Sequence, residues 1–160
     1  MNVILTGEKQ IGKSTALFRA LPRLTQSRFG FLTRFEERGD GRELVMSSLD
    51  GAEKAAVVRW IDGRAVVDND AFNAFGASLL REDGGLAVMD EIGKFELSAL
   101  RFRDAVLRTF DSECDVLAVV RLETSGWMQE LKSRPDTAVI TVTRENRSGV
   151  PDMIVRLLEK

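Results

Sequence analysis

The feature that most constrains this chain is how it begins. Met1-Asn2-Val3-Ile4-Leu5-Thr6 runs directly into Gly7-Glu8-Lys9-Gln10-Ile11-Gly12-Lys13-Ser14, followed by Thr15. The apolar opening suits a short buried strand, and Lys13 to Leu21 suits a helix leaving the loop, with Leu17, Ala20, Leu21 and Leu24 on one face. Between them, Gly7 and Gly12 let the backbone take positive φ and approach an anion with no Cβ in the way. The amides then point inward at the positive end of a helix and form a nest for a polyphosphate. On this reading Gly7, Glu8, Lys9, Gln10, Ile11, Gly12, Lys13, Ser14 and Thr15 surround the phosphates of a nucleotide. Lys13 supplies charge to the outer phosphates and the Ser14 hydroxyl is a ligand for Mg²⁺. Lys9 either adds positive charge there or faces water, and water is the simpler account of a lysine on an open loop.

Beyond the first helix, Pro22 and Thr25-Gln26-Ser27 mark a break, and the texture changes. Phe29 to Phe35, Glu43 to Leu49 and Lys54 to Ile61 read as strands separated by Asp40-Gly41, Asp50-Gly51 and Asp62-Gly63, and Asp-Gly is a strong hairpin signal. They predict an antiparallel hairpin insertion over about residues 29–67, added to the edge of a parallel sheet. Asp68 or Asn69 caps a helix expected to run to about Leu80, with Phe72, Phe75, Leu79 and Leu80 inward and Asp83-Gly84-Gly85 closing it. Next come a strand at Leu86-Ala87-Val88-Met89 and a helix from about Glu96 to Phe110 with Ala99, Phe102, Val106 and Phe110 inward. Asp115 to Leu122 is the next strand, Ser125 to Lys132 a short helix, and Thr137 to Thr143 the last strand. The closing helix turns Val150, Ile154, Leu157 and Leu158 inward. Strands alternating with helices imply a mostly parallel sheet covered on both faces, a three-layer α/β domain. Its ligand crevice lies outside the carboxyl ends of the strands. No linker divides the chain, so residues 1–160 are expected to form a single domain.

Composition narrows the chemistry. With no histidine in the chain, imidazole bases, Ser–His and Cys–His nucleophiles and histidine-ligated zinc are excluded. Acid–base work falls to carboxylates, and any metal is a hard ion on oxygen ligands. A formal net charge of −2 argues against a general nucleic-acid partner. The single Cys114 reads as a small hydrophobe near a strand start and fits a reducing cytoplasm. No charged leader precedes a long apolar run, and no apolar run is long enough to span a bilayer, so neither a signal peptide nor a membrane is expected.

The strand at 86–89 delivers Asp90-Glu91 at its carboxyl end, the partner a phosphate loop requires. Asp90 would hold Mg²⁺ opposite Ser14, and Glu91 would orient water for in-line attack on a γ-phosphate. Asp90-Glu91-Ile92-Gly93-Lys94-Phe95-Glu96-Leu97 resembles the Asp-Glu-Ile-Gly-Lys-Met-Glu-Leu signature of the THEP-type, or cancer-related, nucleoside-triphosphatases. Gly30-Phe31-Leu32-Thr33 and Val142-Thr143-Arg144-Glu145-Asn146-Arg147 resemble two further segments of that family, in the same order. Lys9-Gln10-Ile11 stands where its loops commonly carry Pro-Gly-Val. The resemblance implies a RecA-like P-loop fold and Mg²⁺-dependent hydrolysis of ATP, GTP and other nucleoside triphosphates to diphosphate and phosphate.

Four readings stay open at this level. Lys94 either stabilises charge on the γ-phosphoryl group, pairs with Glu96 to fix the loop, or forms a solvated pair with it. Asn146 and Arg147 contact the base, reach the phosphates, or cap local structure. Trp127 stacks on a base or packs in the core. Glu91 serves equally as base for water or for an acceptor hydroxyl, so a P-loop kinase is the first rival and a slow nucleotide-dependent switch the second.

Overall fold

The computed structural model describes residues 1–81, 84–96, 98–122 and 126–159. Eight strands form one sheet: β1 (Asn2–Thr6), β2 (Arg28–Arg38), β3 (Gly41–Ser47), β4 (Lys54–Ile61), β5 (Arg64–Val67), β6 (Leu86–Ile92), β7 (Asp115–Val120) and β8 (Thr137–Thr141), in the order β5-β4-β3-β2-β6-β7-β1-β8. The run β2-β6-β7-β1-β8 is parallel and β2-β3-β4-β5 antiparallel. The expected hairpin insertion therefore continues the parallel sheet from β2 outward. Its last turn has Asp62 and Gly63 both at positive φ, as a tight two-residue hairpin loop demands.

Helices cover both faces. α1 (Lys13–Ala20) and α5 (Val150–Leu158) pack on Val3, Leu5, Val88, Leu117 and Val119. The other face buries Ile4, Met89, Val116 and Ala118 beneath α3 (Leu100–Asp111), α4 (Trp127–Lys132) and the segment that starts as α2 (Asn69–Ala71). Adjacent residues of each central strand thus serve opposite layers, which is why these strands read as continuous apolar runs rather than alternating ones.

Several boundaries differ from expectation. The helix placed from Glu96 begins at Leu100, because the Glu96 carboxylate turns inward to accept the Gly93 N–H at 3.1 Å. Asn73 takes over as its cap, accepting the Phe102 N–H at 3.0 Å. The helix expected through Leu80 passes into a π-helical turn at Phe72–Gly76, leaving Phe75 only half-buried. Pro22 converts the end of α1 into a 3₁₀ turn at Leu21–Arg23. β6 extends through Ile92, β7 ends at Val120 and β8 at Thr141. The expected roles of Asp83, Leu97 and Ser125 lie outside the described residues. No described helix is long and apolar enough to cross a membrane.

Candidate active site

β1 hands over to α1 through the glycine loop. Gly7 sits at φ 143°, and a Cβ there would meet the Val142 carbonyl oxygen at 2.7 Å, so the close approach of β8 requires glycine. Gly12 caps α1 at φ 114°. Gln10 adopts φ 58°, a left-handed conformation that non-glycine residues seldom take. Glu8, Lys9, Gln10, Ser14 and Thr15 are exposed along the loop, as expected for Lys9, and Ile11 is half-buried against the α1 layer. Lys13 is buried and arcs back, its ammonium donating to the Gly7 carbonyl at 2.6 Å and to the Glu8 carbonyl at 2.8 Å. Burial pulls its pKa down, while Glu91 and Asp90 favour the ammonium.

Those two acids arrive from β6, two strands from β1 with β7 between. Two strand spacings set the β1 and β6 backbones about 10 Å apart, and the Asp90 side chain spans that distance to hydrogen-bond the Ser14 hydroxyl at the start of α1. Asp90 is buried, and desolvation pushes its carboxyl up to about 6; the Ser14 hydroxyl and Lys13 oppose the shift and Glu91 adds to it. Glu91 falls at a register break: Asp90 pairs with Val119 and Ile92 with Val120, so Glu91 is the extra residue of a bulge, which re-aims a side chain. The Asp90–Glu91 peptide is cis. Thr33 pins this peptide from β2, donating its hydroxyl to the Asp90 carbonyl at 3.1 Å and accepting the Glu91 N–H at 3.2 Å.

The structure also settles where the remaining candidates lie. Lys94 is exposed, 5.3 Å from the Phe95 ring, whereas Glu96 is 2 % exposed and engaged with Gly93, so the two are not a solvated pair. Asn146 spends its amide on the turn after β8, accepting from the Thr143 N–H and donating to the Thr141 carbonyl, both at 2.8 Å. Arg147 lies over the start of α1, its Cδ 3.8 Å from where a Gly12 Cβ would stand. A cavity of about 320 Å³ adjoins the loop between Glu8, Ile11, Leu122 and Thr143. Trp127 is buried in the α4 layer and packs in the core, with the Arg103 guanidinium 5.4 Å from its ring. Arg121 follows β7 between the loop strand and the acid strand; a single arginine after an apolar strand carries no spacing signal, and only the strand order reveals its place.

A glycine loop between strand and helix, facing two acids across an intervening strand of a three-layer sheet, defines a P-loop NTPase-like α/β protein. The chain belongs to the NTPase family, whose model matches residues 2–155. Among relatives, it is 30% identical over 172 residues to nucleoside-triphosphatase THEP1 of Thermotoga maritima, covering 99% of this chain and 96% of that one. It is 27% identical over 180 residues to the mouse cancer-related nucleoside-triphosphatase homolog, covering 96% and 94%. The crystal structure of THEP1 from Aquifex aeolicus superposes with a TM-score of 0.82 at 26% identity, covering both chains fully at 100%. The solution structure of a human cancer-related nucleoside triphosphatase gives 0.79 at 26%, covering 99% and 97%.

Proposed function

We propose that this protein hydrolyses nucleoside 5′-triphosphates, ATP and GTP among them, to the diphosphate and phosphate with Mg²⁺. One observation carries the reading: in a chain of this family, the loop lysine and the carboxylates of Asp90 and Glu91 lie within electrostatic reach of one another across β7.

The donor set fits a hard divalent cation. Asp90 is a desolvated carboxylate beside a second carboxylate and a hydroxyl, oxygen donors of the kind such an ion takes, with the Lys13 ammonium also near. Ser14 and Asp90 would hold Mg²⁺, which when bound neutralises charge on the β- and γ-phosphate oxygens.

The chain's own groups do the rest. Main-chain N–H groups from Gly7 to Thr15 bind the phosphates, and Lys13 exchanges its loop carbonyls for the β- and γ-oxygens. Glu91 orients a water whose oxygen bonds to the γ-phosphorus as the bond to the β–γ bridging oxygen breaks. The bond's electron pair leaves on the diphosphate and the water's proton passes to Glu91. Acids on the β6 side of the loop and Arg147 on the β8 side give the bound nucleotide a direction. Its γ-phosphate faces Glu91, and its nucleoside faces Arg147, held near by the Asn146 turn. Lys94 serves as an auxiliary cation at the rim, a role that unchanged turnover in Lys94→Met would remove. The one buried cysteine accords with a cytoplasmic protein.

The deciding experiment is phosphate release from ATP and Mg²⁺ by wild type and Glu91→Gln, with no acceptor or partner added. Turnover lost with nucleotide binding retained supports the reading, and equal activity removes Glu91 from its role. Release without acceptor or partner also separates hydrolysis from transfer to a hydroxyl and from a partner-triggered switch.

A further inference from the structure

The strand that joins the parallel sheet to its antiparallel extension also reaches the acids. β2 pairs with β6 on one side and with β3 on the other, so it belongs to both halves of the sheet. It is anchored in the core by Phe31, fully buried with its ring 5.4 Å from that of Phe102 on α3, and Gly30 lets it come close against Val88. The backbone ladder between β2 and β6 ends at the Leu32–Asp90 pair. One residue further on, a side chain takes over from the ladder. The Thr33 hydroxyl donates to the Asp90 carbonyl at 3.1 Å and accepts the Glu91 N–H at 3.2 Å, so one group satisfies both polar atoms of the peptide that joins the two acids.

Residue type matters at this position. A hydroxyl is donor and acceptor at once, and threonine adds a branch at Cβ that restricts χ1. Thr33 pairs through its backbone with Met46 of β3, and Met46 is fully buried, so the restricted rotamer fixes the hydroxyl oxygen in space. Glu91 has need of such a hold. On the other side of β6 it is the bulged residue, passed over between the Asp90–Val119 and Ile92–Val120 pairs, and the register of β7 does not fix it. Phe31, Thr33 and Phe35 alternate onto one face of β2, and Phe35 begins a series of rings that runs through Trp60 to Phe95, just beyond the acids. The extension thus reaches the acid turn twice, by a hydroxyl at Glu91 and by a ring at Phe95.

We propose that Thr33 is a positioning residue for hydrolysis: its hydroxyl holds the Asp90–Glu91 peptide so that the Glu91 carboxylate meets the attacking water, and the antiparallel extension is the frame that sets the hydroxyl. The inference rests on the role given to Glu91 in hydrolysis. On it, the hairpins have a task at the site beyond closing the sheet edge. Thr33 acts through the backbone of the two acids and touches neither nucleotide nor ion. Asp90 stays in the ladder between Leu32 and Val119 without that hydroxyl, so the carboxylate offered to the ion keeps its place. Glu91 does not, and a displacement of about 1 Å in a reacting group costs up to about 10²-fold in rate.

The test separates aim from binding and from packing. Thr33→Val keeps the branched shape and removes both hydrogen bonds, Thr33→Ser keeps the hydroxyl and removes the methyl, and Thr33→Ala removes both groups. Each is compared with wild type in phosphate release from ATP with Mg²⁺, in calorimetric affinity for a non-hydrolysable ATP analogue with Mg²⁺, and in urea midpoint. In Thr33→Val, kcat is expected to fall by about 30–100-fold while analogue affinity stays within about threefold, and Thr33→Ser is expected to recover kcat to within about fivefold of wild type. Thr33→Ala should follow Thr33→Val, and it carries the comparison if the urea midpoint shows Thr33→Val to be unfolded. Wild-type kcat in the folded variant that lacks the hydroxyl overturns the proposal. So does a Thr33→Ser kcat as low as that of Thr33→Val, which would make the methyl the contributing group. Analogue affinity that falls in step with kcat also overturns it, since the site and not the aim would then be lost. Glu91→Gln tests the hydrolytic reading separately: full turnover there sinks the role of Glu91, whereas an inactive Glu91→Gln beside a fully active Thr33→Val sinks the positioning alone.

Discussion

Individual residues in this protein are fixed by what sits within a few ångströms of them, and Gly30 is the sharpest case. It holds φ 125° on β2, and a Cβ there would lie 1.9 Å from the Val88 carbonyl oxygen. Gly30→Ala therefore forces β2 away from β6 where Thr33 must reach Glu91. We expect a loss of about 3 kcal/mol, read as a lower denaturant midpoint, and a larger loss of turnover than stability alone explains. Glu96 gives a prediction of opposite sign. Its carboxyl stands at about 7 when folded against an ordinary 4.5, so between those values the folded chain holds a proton that the unfolded chain has released. Stability is full below about pH 4.5 and falls as pH rises to about 7. Glu96→Gln removes that slope, so denaturant midpoints of variant and wild type should draw apart in the variant's favour between pH 5 and pH 8. Midpoints that track each other would show Glu96 to be less buried than its surroundings indicate. The glycine loop was legible because its task demands particular residues at particular spacing. Glu96 was not, since a glutamate beside a lysine looks the same whether it meets solvent or a glycine N–H in the core.

At the scale of elements, the hairpins were announced by Asp-Gly turns, because few residues tolerate the positive φ at Asp62 and Gly63. What they attach to was not announced. Phe35 on β2, Trp60 on β4 and Phe95 stack edge to face in series, with centroids 5.6 and 5.5 Å apart, and Arg42 lies over the first two rings. The antiparallel extension thus braces the turn that carries Lys94 and Glu96. Helix starts were the least legible, because a cap supplied by a remote side chain leaves no local pattern. Asn73 caps α3 from the π-helical turn in place of Ala99, which has no side-chain acceptor. Asn73→Ala is expected to cost about 1 kcal/mol, seen as a lowered thermal midpoint of about 2–4 °C with near-normal nucleotide affinity. An unshifted midpoint would mean that α3 holds its first turn by burial of Phe102 alone.

Across the whole molecule, β1 joins the two layers on either side of the sheet. Ile4 packs into the α3 and α4 layer, while Val3 and Leu5 pack into that of α1 and α5. A ligand seated where β1 gives way to α1 is therefore felt by both layers, and its binding energy should raise the stability of the sheet as one unit. Nucleotide with Mg²⁺ at a hundred times its dissociation constant adds about 2.7 kcal/mol. For a chain of this size that moves the thermal midpoint upward by about 5–10 °C. A single transition shifted intact is expected, together with loss of most of the shift in Lys13→Ala, whose ammonium is the group offered to the outer phosphates. If nucleotide moved only part of a transition that splits in two, the antiparallel extension would be folding apart from the phosphate site. Phe95 would then be poorly placed to transmit anything from Trp60 to the acids, and the rigidity credited to that aromatic series would have to come from β6 itself.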